Sequence, residues 1–351
     1  MDTQSSGTQP ASEKLDPVAH LMQITVGCLP SQAAYVAAKL GIADLLKDGA
    51  RPVAELAKKT NTHERSLYRV LRALASVGIF TETDLKAFDL TPPAKLLLTD
   101  HPGSLRDLVI FMGEKWHWSV YGEMLYSVQT GKVAWEKVHG LEVFPYFQQH
   151  AEEYEIFNRA MTSLSASALP ALVEGYDFSG VKTLVDIAGG HGTLLAGFLK
   201  ANPQLKGVLF DLPQVIEGAP ALLKEEGVAD RVKLESGDFF AGVTKGADAY
   251  MMKFIIHDWD DERALKILKN IHRDSASIAR LLLFEMVVPR GNEPHFGKIQ
   301  DLEMLVSPGG IERTEKEYRD LLSQAGFELR RVIPTKSPLS IVEAFRQPSA
   351  N

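Results

Sequence analysis

Leu184-Val185-Asp186-Ile187-Ala188-Gly189-Gly190-His191-Gly192-Thr193 is the stretch on which the fold turns. Its first residues are apolar enough for a buried strand. The small residues after Ile187 make a tight turn, and a helical pattern follows. Glycines permit such a turn and let a ligand approach the backbone. Alone, the stretch suits any nucleotide-like ligand, and a buried turn without a ligand is its plain alternative. A dinucleotide site would want another glycine spacing and a pyrophosphate on the helix N-terminus.

Working outward, the same rhythm begins near Asp177-Phe178-Ser179-Gly180 and runs to the end. Candidate strands are Thr183–Ile187, Lys206–Phe210, Val232–Ser236, Ala249–Lys253, Arg280–Val287, Phe327–Ile333 and Ser340–Phe345, with amphipathic helices between them. Strand–helix alternation predicts a doubly wound α/β domain, its mostly parallel sheet covered on both faces. Ligands of such sheets bind at the strand ends. Asp211 closes the second strand in Phe210-Asp211-Leu212-Pro213, where a carboxylate suits two ribose hydroxyls. Asp238-Phe239 follows the third strand, suited to an adenine amino group and its ring face. Each has a bland alternative, a helix cap for Asp and core filling for Phe.

The first half has a helical grammar. Ala33–Leu46 reads as one helix stopped by Gly49 and Pro52, Val53–Ala57 begins another, and Glu64–Val77 is strongly periodic. In the last, Leu67, Val70, Leu71, Leu74 and Val77 share one face, with Gly78 as C-cap. Two short strands follow, Ile79–Thr81 and Phe88–Leu90, completing the order of a winged helix.

Of the 351 residues, 45% are apolar and 24% charged, as in ordinary folded proteins. The net charge of −7 argues against general polyanion binding. The single cysteine, Cys28, excludes an internal disulfide or a cysteine metal cluster and suits a reducing, cytoplasmic setting. No signal-peptide pattern or run of ~18 apolar residues is evident, so no membrane partner is expected. Residues 1–14 read as a disordered tail.

These stretches, together with Lys253-Phe254-Ile255-Ile256-His257-Asp258-Trp259, resemble the S-adenosylmethionine-dependent small-molecule O-methyltransferases of plant caffeate type and bacterial antibiotic type. The resemblance spans nearly the whole chain. It implies a winged-helix-like, mostly helical dimerisation domain at 15–110, a helical linker lining the acceptor pocket at 111–175 and a Rossmann-like catalytic domain at 176–348. It further implies a homodimer, S-adenosylmethionine as cofactor and S-adenosylhomocysteine as product. The family pattern puts the cofactor at Gly189, Gly190, Asp211, Asp238, Phe239 and Lys253, with Asp186, Ala188, Leu212 and Gly237 beside them. Ala188 departs from the usual glycine, and its backbone serves there if its φ is negative.

A neutral hydroxyl is a poor nucleophile. A phenol with a pKa near 10 is ionised in about one molecule in a thousand at neutral pH, so a general base has work to do. His257, just past the fourth strand, has the suitable side chain. Such a base needs an orienting partner. Glu285 interrupts the apolar strand Leu281–Val288, where a lone carboxylate demands a polar neighbour, and Glu312 lies in the turn Gly309-Gly310-Ile311-Glu312-Arg313-Thr314. The resembled family carries a His with two acidic partners at these positions. The plain alternatives are that His257 flanks a helix capped by Asp260, and that Glu312 is a surface residue paired with Arg313 or Lys316. The other nine histidines read as surface or packing residues without such companions, His191 being notable for its place in the cofactor turn.

By the same resemblance, Phe157 and Met161 line the acceptor pocket and Ser165 lies near the methionine end of the cofactor. Trp116, Phe144, Phe147, Asp258 and Met304 are further candidates for holding a flat aromatic acceptor, against plain core or dimer-interface roles. No metal ligand set is expected. Two rival readings stand beside methylation of a hydroxyl. One keeps the fold but methylates a nitrogen, or only binds the cofactor. The other is a DNA-binding winged helix: Arg65, Arg69 and Arg72 recur at helical spacing, and 47–78 holds seven Lys/Arg against three acids.

Overall fold

The structure is a computed structural model and describes residues 16–348; the expected tail at 1–14 lies outside them. The chain forms two compact units that divide between Leu98 and Thr99.

In the first unit, helices cover Pro17–Thr25, Cys28–Lys39, Ile42–Leu45, Val53–Thr60 and Glu64–Ser76. Three short antiparallel strands, β1 (Arg51–Pro52), β2 (Phe80–Thr83) and β3 (Ala87–Leu90), pair in the order β1-β3-β2. The continuous helix expected over Ala33–Leu46 is broken, because Gly41 takes φ +64 between two helical segments. Leu67, Leu71 and Leu74 are buried as the periodicity requires. Val77 is not: it follows the last helical turn and is 53% exposed. Arg65, Arg69 and Arg72 are exposed. So are Val18, Leu21, Met22, Ile24 and Leu29 at the start of the unit.

The second unit is built on seven strands: β4 (Thr183–Ile187), β5 (Lys206–Asp211), β6 (Val232–Ser236), β7 (Ala249–Lys253), β8 (Arg280–Glu285), β9 (Phe327–Pro334) and β10 (Ser340–Arg346). Their order is β6-β5-β4-β7-β8-β10-β9. The first five are parallel, and β10 runs antiparallel to both β8 and β9. Alternation along β4 sends Val185 and Ile187 into one apolar cluster with Tyr250, Ile267, Leu268 and Tyr318. Leu184 goes into the other, with Leu172, Leu195 and Phe198. Both faces are therefore covered, the condition for a parallel sheet. β8 ends at Glu285 rather than continuing to Val287, so Glu285 closes the strand instead of interrupting it.

The chain leaves β4 toward β5 on one side and returns through β7 on the other. Such a reversal marks the place, at the carboxyl ends of these strands, where open α/β sheets hold ligands. The 25-residue helix Ala151–Gly175 precedes β4. Among the described residues no helix is long and apolar enough to cross a membrane.

Candidate active site

The turn after β4 is strained. Ala188 has φ +56, so the negative φ on which its service was conditioned is not met, and its N–H donates to the Phe210 carbonyl at 2.7 Å. A left-handed alanine costs about 1–2 kcal/mol. A Cβ at Gly189 would lie 2.5 Å from both the Asp186 carboxyl and the Leu209 side chain, so any larger residue there would have to displace them. The adjoining Gly190 N–H donates to Asp211 Oδ2 at 2.8 Å, and Leu212 N–H donates to Oδ1 at 2.7 Å. Burial raises the Asp211 pKa, and these two donors oppose the rise.

Asp186 is 2% exposed, and among the described residues its Oδ2 has no hydrogen-bond partner. Burial, reinforced by Asp211 and opposed by Lys253, pushes it up to about 8. Lys253, at the end of β7, is pushed down to about 8 by burial against the pull of Glu285, Asp186 and Asp258. Beyond β6, Gly237 N–H donates to the Asp211 carbonyl at 2.9 Å. The exposed Asp238 receives Phe240 N–H at 2.8 Å, and Phe239 is half-buried. The strand ends thus present carboxylates, an aromatic face and open turn backbone. That set fits a ligand bringing a diol, an ammonium and an adenine amino group.

His257 sits in the short 3-10 turn Ile256–Asp258 after β7 and is 5% exposed. Its Nδ1 lies 2.7 Å from Glu312 Oε1 and 3.8 Å from Glu285 Oε2. Its Nε2 lies 3.4 Å from Asp258 Oδ1. The Phe254 ring stacks on the imidazole at 4.8 Å, from a backbone held at φ +55. The two glutamates share one nitrogen unequally. Glu285 Oε1 is taken up by the backbone N–H groups of Ile255 and Ile256, at 3.2 and 3.0 Å. Glu285 therefore holds the loop that carries the histidine, while Glu312 holds the ring itself. Burial pushes Glu285 and Glu312 up, to about 7 and about 8; Asp301 adds to the Glu312 rise, and Arg313 opposes it. Asp258 rises to about 7, also through burial.

The Glu312 loop reaches His257 because Gly310 lacks a side chain. A Cβ there would lie 1.8 Å from the His257 carbonyl oxygen, which instead accepts Ile311 N–H at 2.8 Å. Arg313, 1% exposed, does not pair with Glu312 as the surface alternative had it. It donates to the carbonyls of Ile256 and Trp259 at 3.0 and 2.9 Å and to Asp261 at 2.8 Å, stapling the two loops. Nothing in the sequence marks an arginine beside an acid as buried, so this role of Arg313 is visible only in the structure. Asp260 does cap the next helix, accepting from Arg263 N–H at 2.8 Å, without displacing His257 from the cluster.

Of the acceptor candidates, Phe157 and Trp116 pack on a separate aromatic cluster built on Trp135, Tyr146 and Phe147. Phe157 stacks on Phe147 at 4.9 Å, and Phe144 stacks on Trp259 at 5.5 Å. Met161 is half-buried, Met304 buried, and the buried Ser165 spends its hydroxyl on the Met161 carbonyl at 2.8 Å. His117 corrects the reading of the remaining histidines. It is wholly buried and does have a carboxylate companion, Glu303, at 2.8 Å.

Acid-lined strand ends at a crossover thus stand beside a histidine braced by carboxylates. Residues 121–328 match the O-methyltransferase domain model, and residues 22–100 match the O-methyltransferase dimerisation domain. The chain is 44% identical to phenazine O-methyltransferase PhzM of Lysobacter antibioticus, over 92% of this chain and 95% of that one. It is 37% identical to the mitomycin biosynthesis 6-O-methyltransferase of Streptomyces lavendulae, over 92% and 93%. Among solved structures, LaPhzM superposes with a TM-score of 0.90 at 43% identity, covering 95% of this chain and all of that one. CalO1, a methyltransferase in calicheamicin biosynthesis solved with S-adenosylhomocysteine, gives 0.83 at 33% identity, over 96% and 100%. The chain belongs to the S-adenosylmethionine-dependent O-methyltransferase family, with the family's dimerisation domain at its N-terminal side.

Proposed function

We propose that this enzyme methylates a hydroxyl of a small aromatic metabolite, with His257 as general base. The observation that carries the reading is the 2.7 Å pairing of His257 Nδ1 with Glu312. When Glu312 is ionised its carboxylate only accepts, so Nδ1 bears the proton and Nε2 keeps a lone pair for the acceptor hydroxyl. S-Adenosylmethionine, when bound, supplies an electrophilic sulfonium methyl, and S-adenosylhomocysteine remains. As the acceptor oxygen bonds to that methyl, its proton passes to Nε2.

Glu312 orients the ring and stabilises the imidazolium that forms, and Glu285 fixes the turn. In the same reading Asp211 takes the ribose diol, with Leu212 and Gly237 framing it. Asp238 and Phe239 receive the adenine. Gly189 and Gly190, beside Asp186 and Ala188, offer open backbone, while Lys253 and Ser165 border the methionine end. Phe157, Met161, Trp116, Asp258 and Met304 hold the acceptor. The functional division of the chain is 15–110, 111–175 and 176–348.

A homodimer formed through the N-terminal unit is part of the proposal, supported by the exposed apolar residues Val18, Leu21, Ile24 and Leu29. A cytoplasmic setting is supported by the free, exposed thiol of Cys28. The relatives named above act in phenazine and mitomycin chemistry, which favours fused or quinone-like aromatic acceptors. Mass spectrometry across a panel of phenols and matched anilines tests the reading. Methyl gain on the phenols supports it, and methyl gain on the anilines alone overturns it.

A further inference from the structure

A second buried histidine stands outside the machinery described so far. His117, on the helix Lys115–Trp118, is wholly buried, its ring 4.2 Å from that of Phe111 and 5.4 Å from that of Tyr121. Its Nε2 pairs with Glu303 Oε1 at 2.8 Å, and the Tyr121 hydroxyl donates to Glu303 Oε2 at 2.7 Å. Burial alone would push the Glu303 carboxyl up. The bonds from His117, Tyr121 and Ser307 outweigh it and hold the group below its usual range. Glu303 is therefore an anchored anion inside an aromatic shell.

Glu303 belongs to the helix Phe296–Val306. Two residues earlier, on nearly the opposite side of that helix, Asp301 Oδ1 accepts the backbone N–H of Glu312 at 2.8 Å. Met304, the next residue on the helix, accepts Gly309 N–H through its carbonyl at 2.9 Å. The helix is thus gripped by His117 and Tyr121 on one side and carries the Glu312 loop on the other. Packed elements move as bodies, so a shift at Glu303 becomes a shift at Glu312. The Glu312–His257 bond, at 2.7 Å, has little tolerance for such a shift.

We infer that His117 is a positioning residue for methyl transfer: through Glu303 it sets the helix that presents Glu312 to His257, and so ties the aromatic 111–124 segment to the base. The inference rests on the proposed role of Glu312.

The test is a double-mutant cycle on the full-length enzyme, with the best acceptor among catechol, a naphthol and a hydroxyphenazine. His117→Phe fills the shell but removes the bond. It is expected to lower kcat about tenfold or more, with S-adenosylhomocysteine affinity unchanged by calorimetry. His117→Gln, which can still donate to Glu303, restores most of that loss. Combined with Glu312→Gln, His117→Phe adds no further loss, because both act on one bond. If His117→Phe does not fold by circular dichroism, Tyr121→Phe takes its place in the cycle. A wild-type kcat in the single variant, or losses that multiply in the double variant, overturns the inference while leaving the role of Glu312 intact. A Glu312→Gln enzyme with wild-type kcat removes the base reading itself and this inference with it.

Discussion

Nδ1 of His257 and Oε1 of Glu312 lie 2.7 Å apart, although 55 residues separate them in the chain. In the proposed reading the pairing commits Nδ1 to orientation and leaves Nε2 for chemistry. If Nε2 is the base, His257→Ala removes transition-state proton transfer without touching the cofactor crevice. Turnover is expected to fall on the order of a hundredfold or more, with cofactor affinity nearly unchanged. Steady-state kinetics with a phenolic acceptor, beside calorimetry, checks both halves. Near-normal turnover would show that proximity alone suffices.

The raised carboxyl of Glu312 sets a pH limb. Below its pKa of about 8 the neutral acid keeps its proton and donates a hydrogen bond to Nδ1, which leaves the imidazole proton on Nε2, the wrong tautomer for a base. Above it the carboxylate accepts from Nδ1, and the base is competent. Activity should therefore climb with rising pH, pass its half-way point near pH 8 and level off above it, and this limb should be lost in Glu312→Gln. The measurement is kcat against pH in both enzymes, with a phenol ionised well above the range. A flat wild-type profile between pH 6 and 9 would sink the assignment.

Asp211 accepts from both Gly190 and Leu212, so its carboxylate is already aimed across the end of β5. Asp211→Ala should weaken cofactor binding by about 1–3 kcal/mol through lost charged hydrogen bonds. Calorimetry with S-adenosylhomocysteine reads this directly, and an unchanged Kd contradicts the ribose assignment.

Ala188 at φ +56 carries a Cβ in the left-handed region. Ala188→Gly removes a strain of about 1–2 kcal/mol and returns roughly 0.4–1 kcal/mol to the unfolded chain as entropy. The net expectation is a stabilisation of about 0.5–1 kcal/mol, seen as a higher denaturation midpoint at unchanged slope. A lower midpoint would mean that the alanine methyl makes packing contacts worth more than the strain.

Local pattern made much of this molecule legible. The strand–turn–helix around Asp186, the acids ending β5 and β6 and the periodic helix at 64–76 all follow from residue order over short windows. Asp211, Asp238 and His257 stand out because each closes or follows a strand, whereas Phe157, Met161 and Ser165, inside the long helix Ala151–Gly175, carry no such local mark and come only from the family resemblance. What stayed hidden depends on long-range pairing. Nothing near His117 announces Glu303, and nothing near Arg313 announces the carbonyls of Ile256 and Trp259. The positive φ of Ala188 is hidden for another reason: an alanine argues for ordinary backbone, and the bond from its N–H to the Phe210 carbonyl accompanies a different one. The single helix expected over Ala33–Leu46 failed because one glycine inside an apolar period gave too little warning of a break.

The absence of a side chain at Gly310 constrains how this enzyme can be re-engineered. Because backbone meets backbone there, with the Ile311 N–H on the His257 carbonyl, the two loops have complementary surfaces at atomic contact. A loop transplanted from a relative at only one of the two segments would meet a foreign partner. Chimeras built to change acceptor choice should exchange residues 254–261 and 309–313 as one cassette, and diversify freely only outside it.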